Sequence, residues 1–570
     1  MLVDLLKNGE RWARNSTLVR ALYQGMPIVM AHRALSMIGV KGVLGNELAQ
    51  MSRIGKIGCS TKNDERTRVL FVIPRNFRTH ATFQTVLAQA LVLRGAESAI
   101  VTCAETVPIC EVAHPEEEVW PRCARCAEYI TELARAAGIR CFSLSEYREG
   151  TVEAVVSLEI AGLDVAQLSR YKWQDLALGK YAIAPTRWRL RSHHIEDHPL
   201  GHEVMRGFIR GGALWASAMR RVFDEYDPHV LVMLNGLFME ERVTWALAKE
   251  GGRRCVFFEK GRDVETVFLS HDVSAPRYDV SGSWSAAKAT PLNEDERRAV
   301  VNILERRMRG EQLVEKYWDR RESDLEKICL QLGLRADVPV AVLFTNVVWD
   351  TAMQDRDIAF DGMLDWLRET IGQFRVHPDW QLIIRIHPAE TQVPGRESFD
   401  KVSDWMEKEV GVLPFNIRCI PPHVPIDSYA LMRLAQVGLV YASTVGLELS
   451  ILGTPVVVAG AAHYSRRGFT ADPSSKTDYH AAVEAIMMGK RSMPREEQIE
   501  LALRYAHLFF LRRTLPIGIL NEPAEARPRL AYRSTEDLLP GRHPGIDIIC
   551  DGILNGTEFE LPRNSANSPT

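Results

Sequence analysis

The feature that most constrains this chain is a recurring alternation of short apolar runs with longer amphipathic stretches. TRVLFVIP (67–74), a loop RNFRTH, the stretch ATFQTVLAQALVLRG and then ESAIVTC (97–103) read as strand, helix and strand. Runs of this kind, apolar at every position and rich in Val, Ile, Leu and Phe, suit strands buried on both faces of a parallel sheet. Gly95 is a natural helix stop between the two strands. The pattern continues through DPHVLVMLNG (227–236), ERVTWALAKEGG (241–252) and RCVFFEKG (254–261). It resumes at VPVAVLFTN (338–346) and runs through WQLIIRIHP (380–388), NIRCIPP (416–422), QVGLVYAS (436–443) and TPVVVAG (454–460). Two βαβ series in one chain predict two doubly wound α/β domains.

The 570 residues suffice for two or three domains. We expect a helical preface at 1–65, a first Rossmann-like domain at 66–285, a helical linker at 286–335, a second Rossmann-like domain at 336–515 and a tail at 516–570. No internal repeat is visible. The formal net charge of -3 argues against a dedicated nucleic-acid binder. No uncharged apolar run approaches the roughly 18 residues of a membrane span. Charges come too early in MLVDLLKNGERWAR for a secretory signal, so the expected location is cytoplasmic. The stretch MPIVMAHRALSMIGVKGVL (26–44) is a candidate for lying on a membrane surface, at the inner face of the cytoplasmic membrane. Docking on the protein's own core is the alternative. The basic segment RYAHLFFLRR (504–513) could return to the first domain or meet anionic lipid.

In open parallel sheets ligands bind at the carboxyl ends of strands. Three such ends in the second series carry polar residues: Thr345, Asn346 and Asp350 in FTNVVWD; Arg385 and His387 in RIHPAE; Ser443 and Thr444 in YASTVGLELSILG. Arg385 and His387 lie two apart and would share a face, where a phosphate could satisfy both. Ser443 or Thr444 starts a helix, whose free N–H groups and hydroxyls favour an anion. Gly446 would let a ligand approach, and Glu448 misses the capping-box slot, leaving its carboxylate for hydroxyls of a nucleotide or sugar. In the first series His80 follows the first strand and is a candidate general base, with Glu259 and Glu241 as rivals. Cys103, Cys110, Cys123 and Cys126, the last two in a C-x2-C, are candidates for a structural zinc site or for plain thiols.

TNVVWD, RIHPAE and STVGLELSILGTPVVVAG, followed by AHYSRRGFT (462–470), resemble the GT-B-fold glycosyltransferases of capsule and surface-glycan synthesis. The resemblance implies two Rossmann-like domains facing a cleft, with a nucleotide-sugar donor held by the second and a glycan or lipid-linked glycan acceptor on the first. The HP and Ser-Thr pair is similar to that of bacterial sialyl- and Kdo-transferases, which implies a CMP-sugar with His387, Ser443 and Thr444 at its phosphate. The acidic base motif of sialyltransferases has no clear counterpart; MEER (239–242) lacks its glycine. The implied chemistry needs no cofactor and no catalytic metal. A nucleotide-sugar 2-epimerase or hydrolase of the same fold, or a non-catalytic glycan-assembly partner, are the alternatives.

Overall fold

The computed structural model describes residues 46–54, 66–112, 120–261, 265–311, 317–318, 321–393, 395, 397–521 and 528–563. Strands β1 (Arg68–Val72), β2 (Glu97–Thr102), β3 (Arg140–Ser143), β4 (Val230–Leu234), β5 (Arg254–Lys260) and β6 (Thr266–His271) belong to one sheet. With β12 (Thr514–Pro516) at one edge, its order is β12-β6-β5-β4-β1-β2-β3, in which β1 to β5 run parallel. A second sheet holds β7 (Val340–Phe344), β8 (Gln381–Arg385), β9 (Ile417–Ile420), β10 (Val437–Val440) and β11 (Val456–Val458). All its pairings are parallel, in the order β11-β10-β7-β8-β9.

Both sheets therefore wind outward from their first strand in both directions, as doubly wound folds do. The apolar runs explain why. Along β1, Val69 and Phe71 enter one core and Leu70 and Val72 the other. Along β7, Ala341 and Leu343 face one core, Val342 and Phe344 the opposite one. A strand buried on both faces needs helices on both, and the amphipathic stretches supply them. The first of these, Arg78–Val92, stops where expected: Gly95 takes φ 88° and Ala96 N–H returns to Leu91 O at 3.1 Å.

The carboxyl ends of the two sheets face each other. Arg242, just after β4, pairs with Asp355 beyond β7 at 3.5 Å, and Arg277 reaches the same carboxylate at 3.9 Å. On the other flank the turn 191–194 grips the loop after β8. The Asp400 carboxylate accepts from His193 N–H at 2.8 Å, His194 N–H at 3.0 Å and Ser192 Oγ at 3.2 Å. Trp188 meets Trp349 edge to face at 5.4 Å, with Arg191 stacked against both rings. Two doubly wound domains set with the carboxyl ends of their sheets toward each other form the GT-B architecture.

Two segments differ from expectation. The stretch 286–335 is no free linker: its helix Glu294–Met308 buries Val300 and Leu304 in the core of the second domain. The stretch after 515 is no tail. Beyond the helix Arg495–Ala506, the wide helical turn His507–Arg513 buries Leu508 and Phe509, then strand β12 (Thr514–Pro516) pairs antiparallel with β6. The closing helix Pro544–Asn555 and the residues beyond it put Ile546, Ile549, Ile553, Phe559 and Leu561 into the first domain's core. Mixed polarity hid this segment, because its partners lie hundreds of residues away. Within RYAHLFFLRR, Tyr505, Ala506, Leu508 and Phe509 are buried in the protein's own core, and Phe510 and Leu511 are half-buried against it. Among the described residues no helix is long and apolar enough to cross a membrane. Of the preface, the helix Asn46–Ile54 docks on the first core through Leu48 and Met51, and 26–44 lies outside the described residues.

Phe559 is fully buried against Gly552, where a Cβ would sit 2.2 Å from its ring. Phe559→Ala should cost about 3–5 kcal/mol, as for other buried aromatic truncations. Urea unfolding followed by tryptophan fluorescence in the two domains would show the first domain losing stability.

Candidate functional site

The winding of the second sheet reverses between β7 and β10, the place where doubly wound sheets bind ligands at their strand carboxyl ends. Three loops meet at it, and side-chain bonds tie them together. The Thr345 hydroxyl accepts from His387 N–H at 3.0 Å, joining the ends of β7 and β8. The Asn346 side-chain oxygen accepts from Ala442 N–H at 3.3 Å, joining β7 to β10. Thr345, Asn346, His387, Ser443 and Thr444, widely separated in sequence, are one constellation.

His387 is its chemical centre. Its Nδ1 accepts from Ala389 N–H at 3.1 Å, so the neutral ring carries its proton on Nε2. Burial, with the Arg385 charge second, pushes its pKa down to about 4. At neutral pH it is an uncharged hydrogen-bond donor. Ser443 and Thr444 are half-buried, and Thr444 makes no cap bond.

The other expected donors are already used. Val445 N–H goes to Ser443 Oγ at 3.3 Å, Gly446 N–H to Ser443 O at 3.4 Å and Leu447 N–H to Thr444 O at 3.0 Å. The helix that follows, Val445–Ile451, is only seven residues long. Its first turn closes on itself, which takes these three N–H groups out of the set of donors. Arg385 is 2% exposed and gives its guanidinium to the carbonyls of Pro421 and Val424, each at 3.1 Å. It braces a loop and does not share a ligand with His387. Asp350 caps the turn Thr351–Met353 by accepting from Ala352 N–H at 3.0 Å. Gly446 makes room for protein, not ligand: a Cβ there would lie 2.1 Å from the Tyr464 hydroxyl, which donates to Ser443 O.

Glu448 is also spoken for. Its carboxylate is buried and accepts from Arg307 Nε at 2.8 Å, with the Tyr429 hydroxyl as a further neighbour. Its freedom from capping was legible in sequence; its partner, 141 residues earlier, was not.

On the facing domain, His80 sits in the first turn of Arg78–Val92, half-buried, 5.9 Å from the rings of Phe77 and Phe258. Glu259, at the end of β5, accepts from Asn235 Nδ2 at 3.2 Å and from Lys260 N–H at 2.9 Å. Glu241 is no free base. It is fully buried on Arg75, which also binds Glu240 and, at 3.2 Å, Glu111. Glu111 carries no motif signal, since only the fold brings it beside Arg75. One guanidinium faces three buried carboxyls there. Burial, with Glu240 and Glu241 adding to it against the Arg75 charge, pushes Glu111 up to about 8.

The four cysteines do not form a cage. Cys103 follows β2, Cys110 lies in the loop beyond, and Cys123 and Cys126 ride the helix Trp120–Ala137. Cys126 Sγ accepts from Asn76 N–H at 3.1 Å, and burial pushes its thiol up to about 11 and that of Cys103 to about 12. Among the described residues no group of three or more His, Cys, Asp or Glu is placed to hold a metal ion.

No protein-family model and no curated protein matches the sequence. Several solved structures are similar to it at low identity. The β-Kdo 2,4-transferase KpsC of Thermosulfurimonas dismutans is 12% identical over 55% of this chain and 87% of that one, with a TM-score of 0.32. The UDP-GlcNAc 2-epimerase of Neisseria meningitidis bound to UDP-GlcNAc is 10% identical over 78% and 96%, with a TM-score of 0.26. A glycosyltransferase of Rickettsia africae is 8% identical over 86% and 100%, with a TM-score of 0.27. At such scores the site has to be read from its own geometry.

Two substitutions check the buried charges. Arg307→Met strands the Glu448 carboxylate and should cost about 3–5 kcal/mol in urea unfolding. Glu111 is protonated in the folded protein up to about pH 8, whereas its ordinary value is 4.5. The folded state therefore holds the extra proton, and stability falls as pH rises from 4.5 to 8. Glu111→Gln should flatten that decline in unfolding curves taken across this range.

Proposed function

We propose that this chain is a glycosyltransferase moving a sugar from a nucleotide-sugar donor to a hydroxyl of a cell-surface or capsular glycan. The observation that carries the reading is the joining of three strand-end motifs at the switch point of the second sheet, with a neutral His387 after β8 and the hydroxyls of Ser443 and Thr444 after β10, each tied to the end of β7 between them. The bond from the anomeric carbon to the donor phosphate breaks, and its electrons leave with the phosphate oxygen. Neutral donors aimed at that oxygen stabilise the charge as it develops. The acceptor oxygen bonds to the anomeric carbon, and its proton passes to a base on the facing domain. Glu259, oriented by Asn235, and His80 are the candidates at the carboxyl end of the first sheet. This chemistry asks for no metal. A CMP-sugar is favoured by the likeness of RIHPAE and YASTVG to CMP-sugar transferases, and a cytoplasmic site of action at the membrane's inner face follows from the same reading.

A thermal-shift series with CMP, UDP, GDP and their sugars tests the reading. A nucleotide that binds only the folded state adds about 2.7 kcal/mol at a hundredfold excess over Kd. If none raises the melting temperature, the donor-site reading fails. With the donor found, His387→Gln should lower kcat/KM on the order of 100-fold, typical of a lost oxyanion donor. Release of an epimer or free sugar without transfer would favour the epimerase or hydrolase alternative.

A further inference from the structure

We propose that Tyr317, in the segment joining the helix Glu294–Met308 to β7, is a positioning residue that forms one wall of the donor site and holds the His387 ring in place. The inference rests on the donor site proposed above and extends it to a part of the chain that no strand-end motif includes. Its support is a continuous series of contacts. Arg385 donates to the carbonyls of Pro421 and Val424 at 3.1 Å and of Ile426 at 3.4 Å, which shapes the loop after β9. That loop anchors the joining segment. Glu322 N–H donates to Pro425 O at 2.8 Å, Asp427 N–H to Glu322 O at 2.9 Å, and Arg321 pairs with Asp427 at 3.3 Å.

From this anchorage Trp318 lies over the Arg385 guanidinium, 5.1 Å from the ring centre. Tyr317 meets His387 edge to face at 5.9 Å, with the planes at 82°. Edge-to-face pairs at this spacing are attractive and orientation-specific. Ala389 N–H fixes Nδ1 in the ring plane, and Tyr317 restrains that plane against rotation. Together they leave Nε2–H as the donor that the leaving phosphate would meet. Arg385 acts here through the loop and the joining segment, which gives its burial a purpose that sharing a phosphate with His387 did not.

The test uses the full chain with 13C-labelled histidine, His387→Gln assigning the resonance. Wild-type His387 should titrate near 4, and Tyr317→Ala should move its midpoint upward toward 6.5 as water reaches the ring. Among the described residues, the groups facing the imidazole are Arg385, two residues before it, and the Tyr317 phenol. Burial lowers the Arg385 pKa only to about 10, so it keeps its charge through this titration. Tyr317→Phe keeps the ring and should leave the midpoint unmoved. Trp318→Ala, which removes the anchor, should shift it in the same direction as Tyr317→Ala. With a working donor, Tyr317→Ala should lower kcat on the order of tenfold, and Tyr317→Phe should restore it. Tyr317→Leu substitutes if the alanine variant does not fold. An unmoved midpoint in a folded variant lacking the ring, or a Phe variant as impaired as the Ala variant, overturns the proposal. Shifted midpoints in a protein that binds no nucleotide would keep the positioning role and remove the donor reading. Unshifted midpoints in one that binds nucleotide would do the reverse.

Discussion

The reversal of winding between β7 and β10 is the constraint from which the site follows. Chains leaving the two strands go to opposite faces of the sheet, so no helix can cover the gap between them. Polar side chains at that gap would be exposed and mobile without a brace. Asn346 and Thr345 provide it by bonding across to the neighbouring strand ends. The site is thus both placed by topology and stiffened by two short side chains that belong to its central strand.

How much of this was legible in the sequence depends on the range of the interaction. The central strands of both sheets were readable, because burial on two faces writes itself into consecutive residues. So was the grouping of Thr345, Asn346, His387, Ser443 and Thr444, since strand ends converge by rule. What misled were charges and glycines whose partners are distant. Arg385 looks like a ligand-binding cation until its carbonyl partners appear beyond β9. Glu448 looks unclaimed until Arg307 arrives from the helix Glu294–Met308. Gly446 is required by Tyr464, and the same sequence would serve a ligand equally well. The segment after 515 was illegible because its apolar positions match a core built mostly from the first half of the chain.

The two domains treat buried charge differently. In the second, Arg307 and Glu448 neutralise one another, and the pair welds a helix outside the sheet to one at the site's edge. In the first, Arg75 faces three carboxyls and cannot neutralise them all. Such a cluster stays buried only by retaining a proton, so its cohesion depends on pH as an ordinary ion pair's does not. It ties the loops after β1 and β2 to the start of the helix Met239–Glu250, all on the sheet edge that faces the second domain.

The return of β12 to the first sheet has a consequence for how the molecule is made. A domain at the head of a chain ordinarily folds while the rest is still being synthesised. Here the sheet of the first domain lacks its edge strand, and its core lacks Phe559 and the helix Pro544–Asn555, until the chain has been made through residue 561. The second domain, contiguous in sequence, is complete earlier. On the ribosome the order of maturation is therefore inverted: the second domain is finished first, and residues 514–561 then seal the domain that emerged before it.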